Sequence, residues 1–91
     1  MEIVQVVPLA DYKLKITFTD GVTGFIDLRN YVTTGVFSVL QDAEMFNKVY
    51  TNGYSVAWSE DLEIDALAIY AEVTNKPIDE ILNPDVKYAT N

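Results

Sequence analysis

Ninety-one residues carry 6 Lys and Arg against 14 Asp and Glu, a formal net charge of −8, with no His and no Cys. Those absences exclude disulfides, zinc–thiolate sites, thiolate nucleophiles, imidazole bases and serine triads of the usual kind. The length suits one domain, the hydrophobic fraction of 49% is that of a folded chain, and the acid excess opposes binding to phosphate backbones or anionic membranes.

The basic residues Lys13, Lys15, Arg29, Lys48, Lys76 and Lys87 are scattered without a cluster. Met1-Glu2-Ile3-Val4-Gln5 has no basic leader region, and the longest apolar run, Ala66 to Ala71, is far short of the ~20 residues a membrane span needs. The expectation is a soluble cytoplasmic protein that binds neither nucleic acid nor membrane and holds no cofactor.

In chain order, Ile3 to Val7 is β-branched and reads as a strand stopped by Pro8, which has no N–H to give to a ladder. Tyr12, Leu14, Ile16 and Phe18 alternate with Lys13, Lys15 and Thr17, the period of a half-buried strand. Asp20-Gly21 then turns the chain into Val22 to Leu28. A three-residue loop, Thr19-Asp20-Gly21 with Gly21 left-handed, sets Phe18 against Val22, Leu14 against Ile26 and Tyr12 against Leu28. The same register pairs Lys13 with Asp27 and Thr17 with Thr23 on the other face. A two-residue loop would slip the register by one and turn Ile26 and Leu28 to the lysine face. Burial at ~1.5–3 kcal/mol per large apolar side chain therefore selects the longer loop. It leaves Phe25 beside Lys15 on the polar face, where coverage by another element of the chain is expected.

Asp27 to Val32 ends the strand and enters a helical turn, with Gly35 as a left-handed helix terminus. Val36, Phe37, Val39 and Leu40 are expected in the core. Asp42 caps a short helix over Ala43 to Lys48, to which Met45, Phe46 and Val49 give an apolar side. Asn52-Gly53 reads as a two-residue type I′ turn, pairing Thr51 with Tyr54 and Val49 with Val56. Leu62 and Ile64 add an extended segment. Asp65 caps a helix through Val73 with apolar positions 67, 70 and 71. Thr74-Asn75-Lys76 breaks it, and Pro77 opens a second short helix with Ile78, Ile81 and Leu82 on one side, stopped at Asn83-Pro84.

The expected fold class is α+β: an antiparallel sheet of four to five strands built from hairpins, with two or three short helices, the longest near the C-terminus. Residues 1–84 form the single domain and 85–91 a flexible tail.

The ordered set Leu14-x-Ile16-x-Phe18-x-Asp20-Gly21, Ile26-Asp27-Leu28, Gly35-Val36-Phe37-x-x-Leu40-x-Asp42, Phe46, Val56-x-Trp58 and Asp61-Leu62 resembles the family of small bacterial proteins known as domain of unknown function 2442. The resemblance covers roughly residues 1–72. It implies a compact α+β domain without an assigned catalytic activity, from genes arranged similarly to toxin–antitoxin pairs. The DNA-binding helix-turn-helix domain that some members carry is not expected in this chain.

The densest acidic cluster is Glu60, Asp61, Glu63 and Asp65. Alternating carboxylates suit Ca²⁺ or Mg²⁺, yet the cluster lacks the glycine and terminal Glu of an EF-hand loop, so a solvated turn and helix cap outweigh a metal site. Glu72, Asp79 or Glu80 would form a two-carboxylate pair with that cluster, but a fold of this size offers little room for a substrate cleft. Ser38, Ser55 and Ser59 lack a nucleophile-elbow context, and no glycine pattern cradles phosphate.

Hairpin aromatics are the more informative feature, because interfaces enrich Tyr, Phe and Trp. Lys15 and Phe25 on the first hairpin, and Tyr50 on the second, where it shares the less apolar face with Ser55 and Ala57, are the candidate partner-binding positions. Packing within a monomer is weighed against a homodimer interface there. The function expected is a non-catalytic protein–protein interaction module, antitoxin-like in logic, whose partner is another protein, small and basic. The alternative is a divalent-cation-binding protein or enzyme using Glu60, Asp61, Glu63 and Asp65.

Overall fold

The computed structural model describes residues 2–77 and 81. The second short helix expected after Pro77, apart from positions 77 and 81, and the tail 85–91 lie outside the described residues. So does the domain boundary at 84. Strand β1 (Ile3–Leu9) leads through a 3₁₀ turn (Ala10–Tyr12) to β2 (Lys13–Phe18) and β3 (Thr23–Asp27). A 3₁₀ segment (Gly35–Gln41) and helix α1 (Ala43–Phe46) follow. Strands β4 (Tyr50–Thr51), β5 (Ser55–Ser59) and β6 (Leu62–Asp65) then run directly into α2 (Ala66–Thr74).

The class is α+β, with the longest described helix toward the C-terminus, but the strands form two antiparallel three-stranded sheets, β1-β2-β3 and β4-β5-β6, in place of the single sheet of four to five strands expected from the sequence. The reason lies at the seam. Strand β4 is two residues long, and a backbone bond from Ile3 N to Gly53 O (2.8 Å) marks where β1 meets the second sheet. Both sheets nevertheless bury one core, in which Leu14, Ile16, Phe18 and Ile26 meet Val56, Trp58 and Leu62.

The first hairpin has the three-residue loop and the register argued from burial. Lys13 lies opposite Asp27, Leu14 opposite Ile26, Lys15 opposite Phe25 and Thr17 opposite Thr23, and Gly21 is left-handed at φ +89°. The Asp27 carboxylate, although across from Lys13, closes an ion pair with Arg29 at 2.7 Å.

The second hairpin differs. Thr51 pairs with Val56 and Tyr50 with Ala57, so four residues, Asn52 to Ser55, form the loop in place of two. Asn52 Oδ1 accepts from the amides of Tyr54 (2.8 Å) and Ser55 (3.0 Å), and the Thr51 hydroxyl donates to Ser55 O (2.6 Å). These side-chain bonds organise the wider turn, as Asn and Thr do when they compete with a backbone ladder. The loop also serves other elements, since Gly53 O takes Ile3 N and Tyr54 O takes Ala66 N (2.8 Å). A slip of two residues preserves the faces, so Val56 and Trp58 still point into the core.

Further departures are local. Strand β1 continues through Pro8 to Leu9 because β1 is the terminal strand of its sheet, where a missing N–H is tolerated. Gly35 is left-handed (φ +71°) but opens the 3₁₀ segment instead of ending a helix. Of the four residues expected in the core from that segment, Leu40 is buried and Phe37 packs against the core, whereas Val36 (74% exposed) and Val39 face outward. Three residues per turn cannot bury all four on one side.

Both aspartate caps form. Asp42 Oδ1 accepts from Glu44 N (2.9 Å) and Asp65 Oδ2 from Leu67 N (3.1 Å). Helix α2 ends at Thr74 with Asn75 left-handed. Its core-facing stripe is Ala66 and Ile69, both buried, with Tyr70 and Val73 half-buried against the core, one step round from the expected 67, 70 and 71, because β3 closes on it at Gly24. A Cβ there would run into the Val73 methyls.

Candidate functional site

Outward from the core, pairing sets Val7, Lys15 and Phe25 in one row across the first sheet. Phe25 is 64% exposed and Lys15 is exposed too, so no element of the described chain covers this aromatic, contrary to the coverage expected from sequence. On the second sheet the outward row is Tyr50, Ala57 and Glu63. Tyr50 is 44% exposed, while Ser55 and Ala57 on the same face are buried. Phe25 and Tyr50 belong to separate sheets and share no strand pairing.

The acidic residues separate by strand geometry. Glu60 and Asp61 sit in the exposed turn between β5 and β6. Glu63 and Asp65 lie two apart on β6 and share its outward face, opposite Ala57 and Ser55. Glu63 Oε2 accepts from the Ser55 hydroxyl (3.4 Å) and Asp65 caps α2. Among the described residues no three acidic side chains gather as a metal site would require.

The carboxyls whose acidity the fold shifts lie elsewhere. The Tyr70 hydroxyl, reinforced by the Val22 amide, lowers the Asp20 carboxyl below its usual value, and the same bond raises the Tyr70 phenol. Arg29 lowers Asp27 through its hydrogen bonds and charge. Both pairs fasten the first hairpin, one to α2 and one to its own exit turn.

A groove that the sequence did not disclose runs between β3, β6 and α2, with a volume of about 320 Å³. Ile26 and Leu28 line it from one wall, Glu63, Ile64 and Asp65 from the facing one, and Ala68, Ile69 and Glu72 from the helix. Tyr31 and Phe37 close one end, their rings edge to face at 6.4 Å. Its only sequence signal is that two chain segments far apart each end a sheet, and single-chain patterning does not report which edges face each other.

No helix among the described residues is long and apolar enough to cross a membrane. The class defined by this fold and surface is a small two-sheet α+β domain with aromatic and acidic outer faces. Within that class, the family described as "Protein of unknown function (DUF2442)" matches residues 3–75, from the start of β1 to the left-handed Asn75 just after α2, and the chain belongs to it. No curated protein and no solved structure gives a significant match.

Proposed function

We propose that this chain is a non-catalytic protein–protein interaction module, a cytoplasmic bacterial protein that binds another protein through its hairpin aromatics and acidic surface. The observation that carries this reading is Phe25, a large aromatic left 64% exposed at the β3 end of a paired row on a sheet face. A Phe at such a position contributes area at low entropic cost when a partner covers it. The net charge of −8 selects a basic partner by raising encounter rates and opposing acidic competitors. An antitoxin-like pairing with a small basic protein satisfies both features.

The test is a pull-down from the native host at physiological salt with the wild-type chain and with Phe25→Ser. Recovery of a basic protein by the wild type, and its loss with the variant, is the expected result. Recovery of this chain alone would remove the hetero-partner, and light scattering would then report whether a second copy takes its place.

A further inference from the structure

Three consecutive residues of β6, Glu63, Ile64 and Asp65, line the groove. Successive side chains of a strand point to opposite faces, so a cavity that meets three in a row runs along the strand's edge and faces its backbone. Strand β6 is the last in its sheet, and an unpaired edge is a template for a further strand. Across the groove, Ile26 of β3 and Leu28, just beyond the strand's end, present apolar side chains, continued by Ile69 on α2.

We propose that this groove is a strand-acceptor site: it takes an extended segment of a basic protein, paired to the open edge of β6. The alternation of a strand dictates the ligand's chemistry. One set of side chains, facing the Ile26–Ile69 floor, is apolar. The other set stands opposite Glu63 and Asp65 on the outward face, where Lys or Arg forms favourable cross-strand pairs. No Lys or Arg lines the groove among the described residues, and Glu72 adds a third acidic residue, so the charge complementarity is one-sided.

A second copy of the chain is a poor occupant. Self-pairing of β6 sets carboxylates against carboxylates, and a slip of one residue turns them onto the apolar floor. The inference rests on the interaction-module reading but on different residues from those tested by Phe25→Ser.

The experiment is a fluorescence-anisotropy titration of the full chain with two short labelled peptides, one alternating valine with lysine and the other valine with glutamate. The lysine peptide is expected to bind saturably and the glutamate peptide not to bind. Ala68→Trp, an exposed helix position lining the groove, is expected to weaken binding at least about tenfold. Glu63→Lys is expected to lower affinity for the lysine peptide and raise it for the glutamate peptide, which decides the matter even if the tryptophan variant folds poorly. Far-UV circular dichroism checks both variants. Equal binding of the two peptides, no binding of either, or an affinity unchanged by both substitutions overturns the acceptor site. If a host partner is captured and lost with Phe25→Ser while neither peptide binds, the module stands and the groove does not. If the lysine peptide binds while no host partner exists, the reverse holds.

Discussion

Asp20 and Tyr70, fifty residues apart, fasten the tip of the first hairpin to the last described helix, and their acidities record the bond. Asp20 is held below its ordinary 3.8, so its contribution is present above that value and is lost as pH falls through the lowered one. Tyr70 is raised above its ordinary 10.0, so its contribution is complete below that value and is lost as pH climbs through the raised one. The difference in stability between wild type and Tyr70→Phe should therefore be widest from about pH 4 to about pH 10 and shrink at both ends. Asp20 is exposed and Tyr70 only half-buried, so solvent screens the bond and the difference is modest. Urea midpoints across pH measure it, and a flat difference would show that the hydroxyl bond contributes nothing. Asp11 and Tyr12 are consecutive left-handed residues, at φ 61° and 60°. Asp tolerates that region better than a branched side chain, so Asp11→Val should cost about 1–2 kcal/mol by urea unfolding while Asp11→Gly costs little. The caps Asp42 and Asp65 were legible in the sequence because capping is a local bond between neighbours. The strained pair was not, because Tyr12 is held by the Phe46 ring (5.4 Å, edge to face), a contact thirty-four residues away.

At the scale of elements, the two hairpins show where local chemistry suffices. In the first, large apolar residues on one face of each strand make a one-residue slip expensive, and burial alone selects the observed loop. In the second, burial constrains only the parity of the register, because a two-residue shift keeps every side chain on its face. Asn52 and Thr51 then set the loop through bonds that a propensity for Asn-Gly turns does not anticipate. Gly24 lies within a strand pattern, which is a signal for close backbone approach, and the neighbour is Val73 of α2. Gly24→Ala should cost about 1–3 kcal/mol in the wild-type chain, as overpacking does. In a Val73→Ala background the cost should be smaller, because the clashing methyls are gone. A denaturation double-mutant cycle reads the coupling directly, and additive costs would place the two residues out of contact.

At the scale of the whole molecule, α+β class and core composition followed from period and β-branching, whereas the division into two sheets depends on where β1 ends relative to β4. The groove and its facing edges depend on the same long-range placement, as does the exposure of Phe25, which was expected to be covered. Two sheets around one core should nonetheless unfold together. Trp58 lies in that core with its indole N–H bonded to Phe46 O at 3.0 Å, and its fluorescence should give the same urea midpoint as far-UV circular dichroism, which averages both sheets. Separate midpoints would show that each sheet holds its own stability. The wide loop from Asn52 to Ser55 has a consequence for how this fold can be remodelled. Surface loops ordinarily accept extra residues at small entropic cost, yet this one hands a carbonyl to the first strand and another to the last described helix. Lengthening the chain after Gly53 should therefore depress soluble yield and melting temperature together, whereas the same insertion between Thr33 and Thr34, both exposed, should be nearly silent. Tags, reporters and grafted epitopes belong at the latter position.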